Sequence, residues 1–320
     1  MEILMPYEIV ANAKKKFFGS LKMEDWLDYL SIKTWYGLAK SLKIDGVGEE
    51  TFTDNILMEM CDVMNLLDMP LRIFRSVDEK TNGGDLEIFV PMKNKFVRLA
   101  VQAKKVYIEK NYVYDAMPHT VKGSGKLQIN LLLDYAKKIR AVPIYLFYNY
   151  CEVEVINVKI LSGAKRSPPI THFGCSFADA NWVKQNFVSG NPEKWIKKPG
   201  ILDVHPPSRP FSELDNFRKG YSWDALSKIL KFKTPEHDVD FIEPDALENT
   251  SDWREYRPNP VFKSQDELQR DYISAPTVSS DFIQGRPNEI QESDGFSPKF
   301  RMVLERGVAT PWNKKSLHLK

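Results

Sequence analysis

The sequence predicts an α/β layer fold with a central mixed sheet, preceded by helices and followed by a proline-rich C-terminal extension. Three observations carry that expectation. Segments of helical and strand periodicity run in the order helix, three strands, helix, two strands. Two of the strands, Gly83-Gly84-Asp85-Leu86-Glu87-Ile88 and Arg98 to Lys105, set polar side chains into an otherwise apolar alternation. Beyond about residue 200 the composition shifts to proline clusters, His205 to Pro210 and Arg257 to Pro260, separated by short helical pieces.

Taken in order, residues 6 to about 43 read as helical. Glu24 and Asp25 suit a helix start, and Trp35, Leu38 and Leu42 continue an i, i+3, i+7 stripe that places Trp26 and Trp35 in the core. Ile44-Asp45-Gly46-Val47-Gly48 breaks the pattern. A second helix starts at Glu49-Glu50 and carries Phe52, Ile56, Met60, Val63, Met64 and Leu67 on one stripe. Strands are expected at Leu71 to Val77 and over the two polar segments, with Met92-Lys93-Asn94-Lys95 as the hairpin turn. An irregular stretch from Tyr107 to Lys126 leads to a helix from Gln128 to Ile139. Strands follow at Pro143 to Tyr150 and Glu152 to Ile156, then a loop from Ser162 to Pro169, Gly174-Cys175-Ser176 and a short helix around Ala178 to Phe187. Residues 1–199 are expected to form the α/β domain, with its core at about 45–160, and 200–320 a partly irregular extension.

Composition narrows the function classes. With 42% hydrophobic and 28% charged residues, the 320-residue chain has what a packed core needs. The best apolar run, Ala141 to Phe147, is strand-sized and far below the roughly 18 residues of a membrane helix. The N-terminus lacks a basic, apolar, small-residue signal layout, so the expected compartment is the cytoplasm, with no membrane partner. Cys61, Cys151 and Cys175 are scattered and odd in number, which argues against a disulfide framework or zinc cluster. The five histidines include no His-x-x-x-His pair. Lys122-Gly123-Ser124-Gly125-Lys126 lacks the spacing of a phosphate-binding loop, and it contains no Gly-x-Ser-x-Gly elbow.

Charge is uneven behind a net +2: residues 1–90 carry −6, residues 91–200 carry +11 and residues 201–320 carry −3. The basic segment begins just after Asp85 and contains Lys104. A positive surface beside a candidate acid cluster suits a polyanionic substrate, with Lys105, Lys122 and Lys126 as candidate backbone contacts.

Along a strand side chains alternate, so Asp85 and Glu87 share one face and Gln102 and Lys104 share another. If those faces coincide, carboxylates, an amide and an ammonium converge on one volume, a recipe for a hydrolytic metal site. Phosphodiester hydrolysis of this kind needs carboxylates to hold a divalent ion and a cation to offset charge on the attacked group. Asp85 is the direct ligand in this reading, and the main-chain carbonyl of Ala103 is another. Lys104 orients the water or stabilises the developing charge. Glu49 or Glu50 reaches the metal directly or through water. Glu49 aligns with the buried stripe of its helix and is preferred, although acids also suit the positive end of a helix dipole.

A helix with an N-terminal Glu, then Gly-x-Asp, a hairpin and Gln-x-Lys resembles the PD-(D/E)xK, or restriction-endonuclease-like, nuclease superfamily, in the subgroup where Gln replaces the acid. More narrowly, the chain is similar to an uncharacterised bacterial domain family. That family's motifs fall here on Gly48-Glu49-Glu50-Thr53, Gly83/Gly84-Asp85-Glu87, Val101-Gln102-Ala103-Lys104, Gln128 and Pro143-Tyr145-Tyr148-Asn149. The resemblance covers roughly residues 25–190. It implies an αβββαβ core, Mg²⁺ or Mn²⁺ as cofactor, and cleavage of DNA, double-stranded in the first instance, by a restriction or antiviral defence effector. Glu87 would compensate for the neutral Gln102, and Gln128 would point into the site. A homodimer or an activating partner is compatible with such a role. The alternative is a nuclease-fold module that binds nucleic acid or a partner protein without cutting.

Overall fold

The computed structural model describes residues 6–20, 22–41, 48–67, 71–76, 84–92, 95–106, 120, 125–150, 174–185, 209–243, 253–255 and 298–304. The stretch expected to be one helix is two, α1 (Pro6–Ser20) and α2 (Met23–Ser41). Ser20 closes α1 by donating to the Phe17 carbonyl, and its Oγ accepts from the Lys22 amide at 3.2 Å. α3 (Glu49–Leu67) then precedes β1 (Leu71–Ser76), β2 (Gly84–Met92) and β3 (Lys95–Lys105). α4 (Gln128–Lys138) leads to β4 (Val142–Asn149), so helix, three strands, helix and strand follow in the expected order. Residues 152–156, 162–169 and 107–119 lie outside the described residues.

The next segment departs from expectation. Gly174-Cys175-Ser176 belongs to a strand, β5 (Gly174–Asp179), and the helix after it, α5 (Ala180–Val183), starts two residues later than the periodicity suggests. The reason is local. β5 is buried along its whole length against β4, and Asp179 accepts the Trp182 amide at 3.0 Å, which makes it the helix N-cap. Six residues of mixed apolar and small type carry no period that separates strand from helix. Gly174 is obligatory there. Its φ is +91°, and an added Cβ would lie 1.6 Å from the Ser31 carbonyl oxygen of α2.

The extension beyond residue 200 is built into the same sheet. It supplies β6 (Arg209–Pro210), a 3₁₀ helix (Phe211–Lys219), α6 (Trp223–Leu230), β7 (Phe241–Ile242), β8 (Trp253–Glu255) and β9 (Pro298–Leu304). The sheet order is β6-β5-β4-β3-β2-β9-β1-β8, with β7 on β3. β3–β4 and β2–β9 are parallel pairs and the rest antiparallel, so the sheet is mixed.

Helices cover both faces. On one, α2 and α3 pack down: Thr53 and Tyr148 share a hydroxyl hydrogen bond of 2.7 Å, and Ser31 donates to the Cys175 carbonyl at 3.4 Å. Trp26 and Trp35 are fully buried as expected, and Phe52, Ile56 and Met60 form the inward stripe of α3. On the other face α4 buries Ile129, Leu132 and Ala136. No described helix is long and apolar enough to cross a membrane.

Candidate functional site

Register decides whether the two polar strands cooperate. β2 and β3 form an antiparallel hairpin ladder in which Leu86 faces Val101, Glu87 faces Ala100 and Met92 faces Lys95. Directly opposed residues share a face, so Glu87 lies on the face of Arg98, Ala100, Gln102 and Lys104. The ladder runs as far as Leu86 and Val101, and the same register continued one step would set position 85 opposite Gln102. The side chains of Asp85, Glu49 and Glu50 lie outside the described residues, as does all of Lys122.

Gln102 and Lys104 are both buried, each 2% exposed, although lysines and glutamines are ordinarily at the surface. Gln102 Nε2 donates to the Ala103 carbonyl at 3.3 Å, the same carbonyl that the sequence marks as a metal ligand. Across the parallel β3–β4 ladder Gln102 registers with Tyr145 and Lys104 with Phe147. Those two rings stack at 5.8 Å between centroids and form an apolar flank to the polar pair.

Glu87 is fully buried, and its surroundings account for it. The Tyr135 hydroxyl of α4 donates to Oε1, and Arg98 Nε stands 3.9 Å from Oε2. The Arg98 guanidinium also lies over the Phe89 ring, 5.1 Å from its centroid. Glu87 therefore joins α4 to the β2–β3 hairpin. Sequence reasoning missed Tyr135, yet the signal was present: it lies seven residues after Gln128, two helical turns along the same side of α4.

The remaining candidates gather at one end of the sheet. α4 meets β4 through the Ala141 amide on the Ala136 carbonyl, so its other end, with Gln128, lies toward Gln102 and Lys104. Gln128 is half-buried, and its Oε1 is sequestered from solvent with no hydrogen bond among the described residues. α3 reaches Tyr148 through Thr53, one turn after Glu49, and Tyr148 registers with Lys105. The starts of α3 and α4 therefore flank the same end of the sheet from opposite faces, α4 on the face of Gln102 and Lys104 and α3 on the face of Lys105 and Tyr148. Lys105 is half-buried there. Lys126 is exposed and stands 3.7 Å from Asp134, an ordinary surface pair. Among the described residues no group of three or more His, Cys, Asp or Glu side chains is arranged to hold a metal ion.

A second polar cluster sits away from this end. Lys14 of α1 is buried near Lys33 and Glu59, which pair with each other across α2 and α3. Burial first, and the neighbouring Lys33 second, pull the Lys14 ammonium from its ordinary 10.5 down to about 8, with Glu59 partly opposing. Burial also pushes the Cys175 thiol up to about 12.

No curated protein and no solved structure matches the chain. One family profile does, over residues 23–308, which runs from α2 through the end of β9. The chain belongs to that family, DUF6615, described as a family of unknown function.

Proposed function

We propose that the chain is a metal-dependent endonuclease of the PD-(D/E)xK kind, acting on DNA. The carrying observation is the burial of Gln102 and Lys104 on one strand, on the sheet face they share with Glu87 and beneath α4. Lysines are almost never fully buried, so a buried ammonium marks a place where polar groups are gathered. A phosphodiester suits such a group, and the excess of +11 over residues 91–200 supports a polyanion.

The donor chemistry suits a hard divalent ion. Gln102 and the Ala103 carbonyl present oxygen and amide groups, and hard ions take oxygen ligands. Asp85, the Ala103 carbonyl and Glu49 or Glu50 would hold Mg²⁺ or Mn²⁺. When bound, the ion polarises the phosphate and acidifies a water. The chain's own residues do the rest. Gln102 orients the Ala103 carbonyl through its amide, Lys104 offsets charge on the attacked phosphate, and Tyr135 with Glu87 fixes α4 against the hairpin.

Cleavage of plasmid DNA with Mg²⁺ and with Mn²⁺, comparing the unmodified chain with Lys104→Ala and Asp85→Ala, tests this. Each substitution is expected to lower the rate by about 100-fold or more while the circular dichroism spectrum is kept. A chain inert on DNA and RNA with both metals, or a Lys104→Ala variant that cuts normally, overturns it.

One observation favours a second reading, a module that binds nucleic acid without cutting. Gln102 is neutral, and its amide already occupies one acceptor position of the Ala103 carbonyl. That reading predicts salt-sensitive DNA binding that is indifferent to divalent metal.

A further inference from the structure

A cavity of about 380 Å³ lies beside the last residues of β5 and the segment that follows α6. Its lining includes Asp179, Trp182, Lys228, Lys231, Phe232 and Lys233. The volume lies at the small end of the range for ligand sites, the size of a single nucleotide rather than an extended chain.

Three kinds of group meet here. Trp182 and Phe232 offer aromatic surface, and Phe232 is fixed by rings of Phe177, Phe217 and Trp223 at 6.2–6.3 Å. Asp179 is only 3% exposed. It accepts the Trp182 amide on one oxygen and the Lys233 amide on the other, each at 3.0 Å. The Asn181 amide faces the same carboxylate, and a carboxylate has about four acceptor positions, so about one remains for an N–H group of a ligand. The lysines supply the third kind. Lys228 is accounted for by Asp224 at 2.7 Å and by the C-terminus of α6. Lys231 and Lys233 lie past the helix.

Lys231 also occupies a position that costs backbone energy. It is the C-cap of α6 with φ of 58°, the left-handed conformation that helices usually give to glycine or asparagine. A lysine held at such a point is a reason to look for a function of its side chain. An inorganic anion would leave the aromatic wall and Asp179 unused, and an apolar ligand would leave both the carboxylate and the cations unused.

We propose that this cavity binds a free nucleotide, with the base against Trp182, one of its N–H groups on the open edge of Asp179 and its phosphate between Lys231 and Lys233. The cavity is separate from the candidate nuclease site. Ala178 in its wall registers with Tyr145, which registers with Gln102, two strand spacings or about 10 Å away across the sheet. Binding is read without cleavage, so it stands or falls apart from the nuclease reading.

Calorimetric titration of the full chain with AMP, GMP, ATP, GTP, inorganic phosphate and a short single-stranded oligonucleotide is the test. At least one nucleotide is expected to bind with one-to-one stoichiometry and a Kd below about 100 µM. Lys231→Gly should weaken that binding by about tenfold while leaving the melting temperature unchanged or raised, because it removes the charge and relieves the backbone together. Lys233→Ala should weaken it similarly. No saturable binding up to about 5 mM overturns the proposal, as does binding untouched by either substitution. Phosphate binding as tight as the nucleotide removes the role of the base, and an oligonucleotide preferred over every mononucleotide removes the free ligand.

Discussion

Glu87 stands at the junction between structure and chemistry, and substituting it tells the two apart. The residue is fully buried, holds the Tyr135 hydroxyl and faces Arg98 at 3.9 Å. Tyr135→Phe deletes one hydrogen bond to a charged acceptor, a loss of about 1.5–3 kcal/mol. Glu87→Leu strands the Arg98 guanidinium, whose side chain is only 19% exposed. Breaking a buried pair from one side costs about 3–5 kcal/mol, and the lower end applies because the pair is longer than a hydrogen bond and the guanidinium keeps the Phe89 ring. Glu87→Gln retains shape and one acceptor, so about 2 kcal/mol is expected. In a double-mutant cycle, Glu87→Gln and Tyr135→Phe should couple by about 1 kcal/mol. Urea denaturation followed by circular dichroism measures all four proteins. The reasoning fails if both single variants lie within about 0.5 kcal/mol of the unmodified chain, within the usual range for surface changes. It fails more instructively if Glu87→Gln leaves stability alone yet abolishes Mn²⁺ binding, since Glu87 is then a ligand.

Gly174→Ala should destabilise by about 2–4 kcal/mol in the same urea assay, because the methyl meets the Ser31 carbonyl and φ stays positive; a neutral result would show that α2 and β5 are not in that contact. Lys14 titrates near 8 when folded and near 10.5 when unfolded. The unfolded chain therefore holds the extra proton between those values, and this residue makes stability rise with pH across that window. Lys14→Met should stabilise most below pH 8, with the advantage closing toward pH 10.5; a gain independent of pH refutes the assignment. Cys175, with its thiol pushed up to about 12, should resist iodoacetamide at pH 8 in the folded chain and react on unfolding, as read by peptide mapping.

Legibility followed period and length. α3, α4, β2 and β3 were readable because each runs nine residues or more with a consistent stripe or alternation. Alternation alone put Gln102 with Lys104 on one face of β3, and the hairpin register, set by the turn, is what adds Glu87 to that face. β5 was not readable, since six residues with buried side chains on both faces carry no alternation. The break between α1 and α2 was hidden by apolar residues continuing on both sides of it. Tyr135 sits two turns after Gln128 on the same side of α4, but its partner Glu87, like the Arg98 contact, comes from across the sheet face, which no window along the chain contains.

The sheet order gives the C-terminal extension a part in the candidate site. β9 lies between β1 and β2, in parallel register with β2: Gly84 beside Pro298, Leu86 beside Phe300, Glu87 beside Arg301. A strand paired on one side only is held in register by one ladder, and a slip of one residue would exchange its two faces and carry Glu87 away from Tyr135. With β3 on one edge and β9 on the other, β2 is held by two ladders that would both have to slip. The family match ends at residue 308, just beyond β9, so the shared unit includes the strand that closes the sheet beside position 85. The extension is therefore part of what positions the polar face, and a chain cut at residue 200 would carry the site residues without the second ladder that holds their strand.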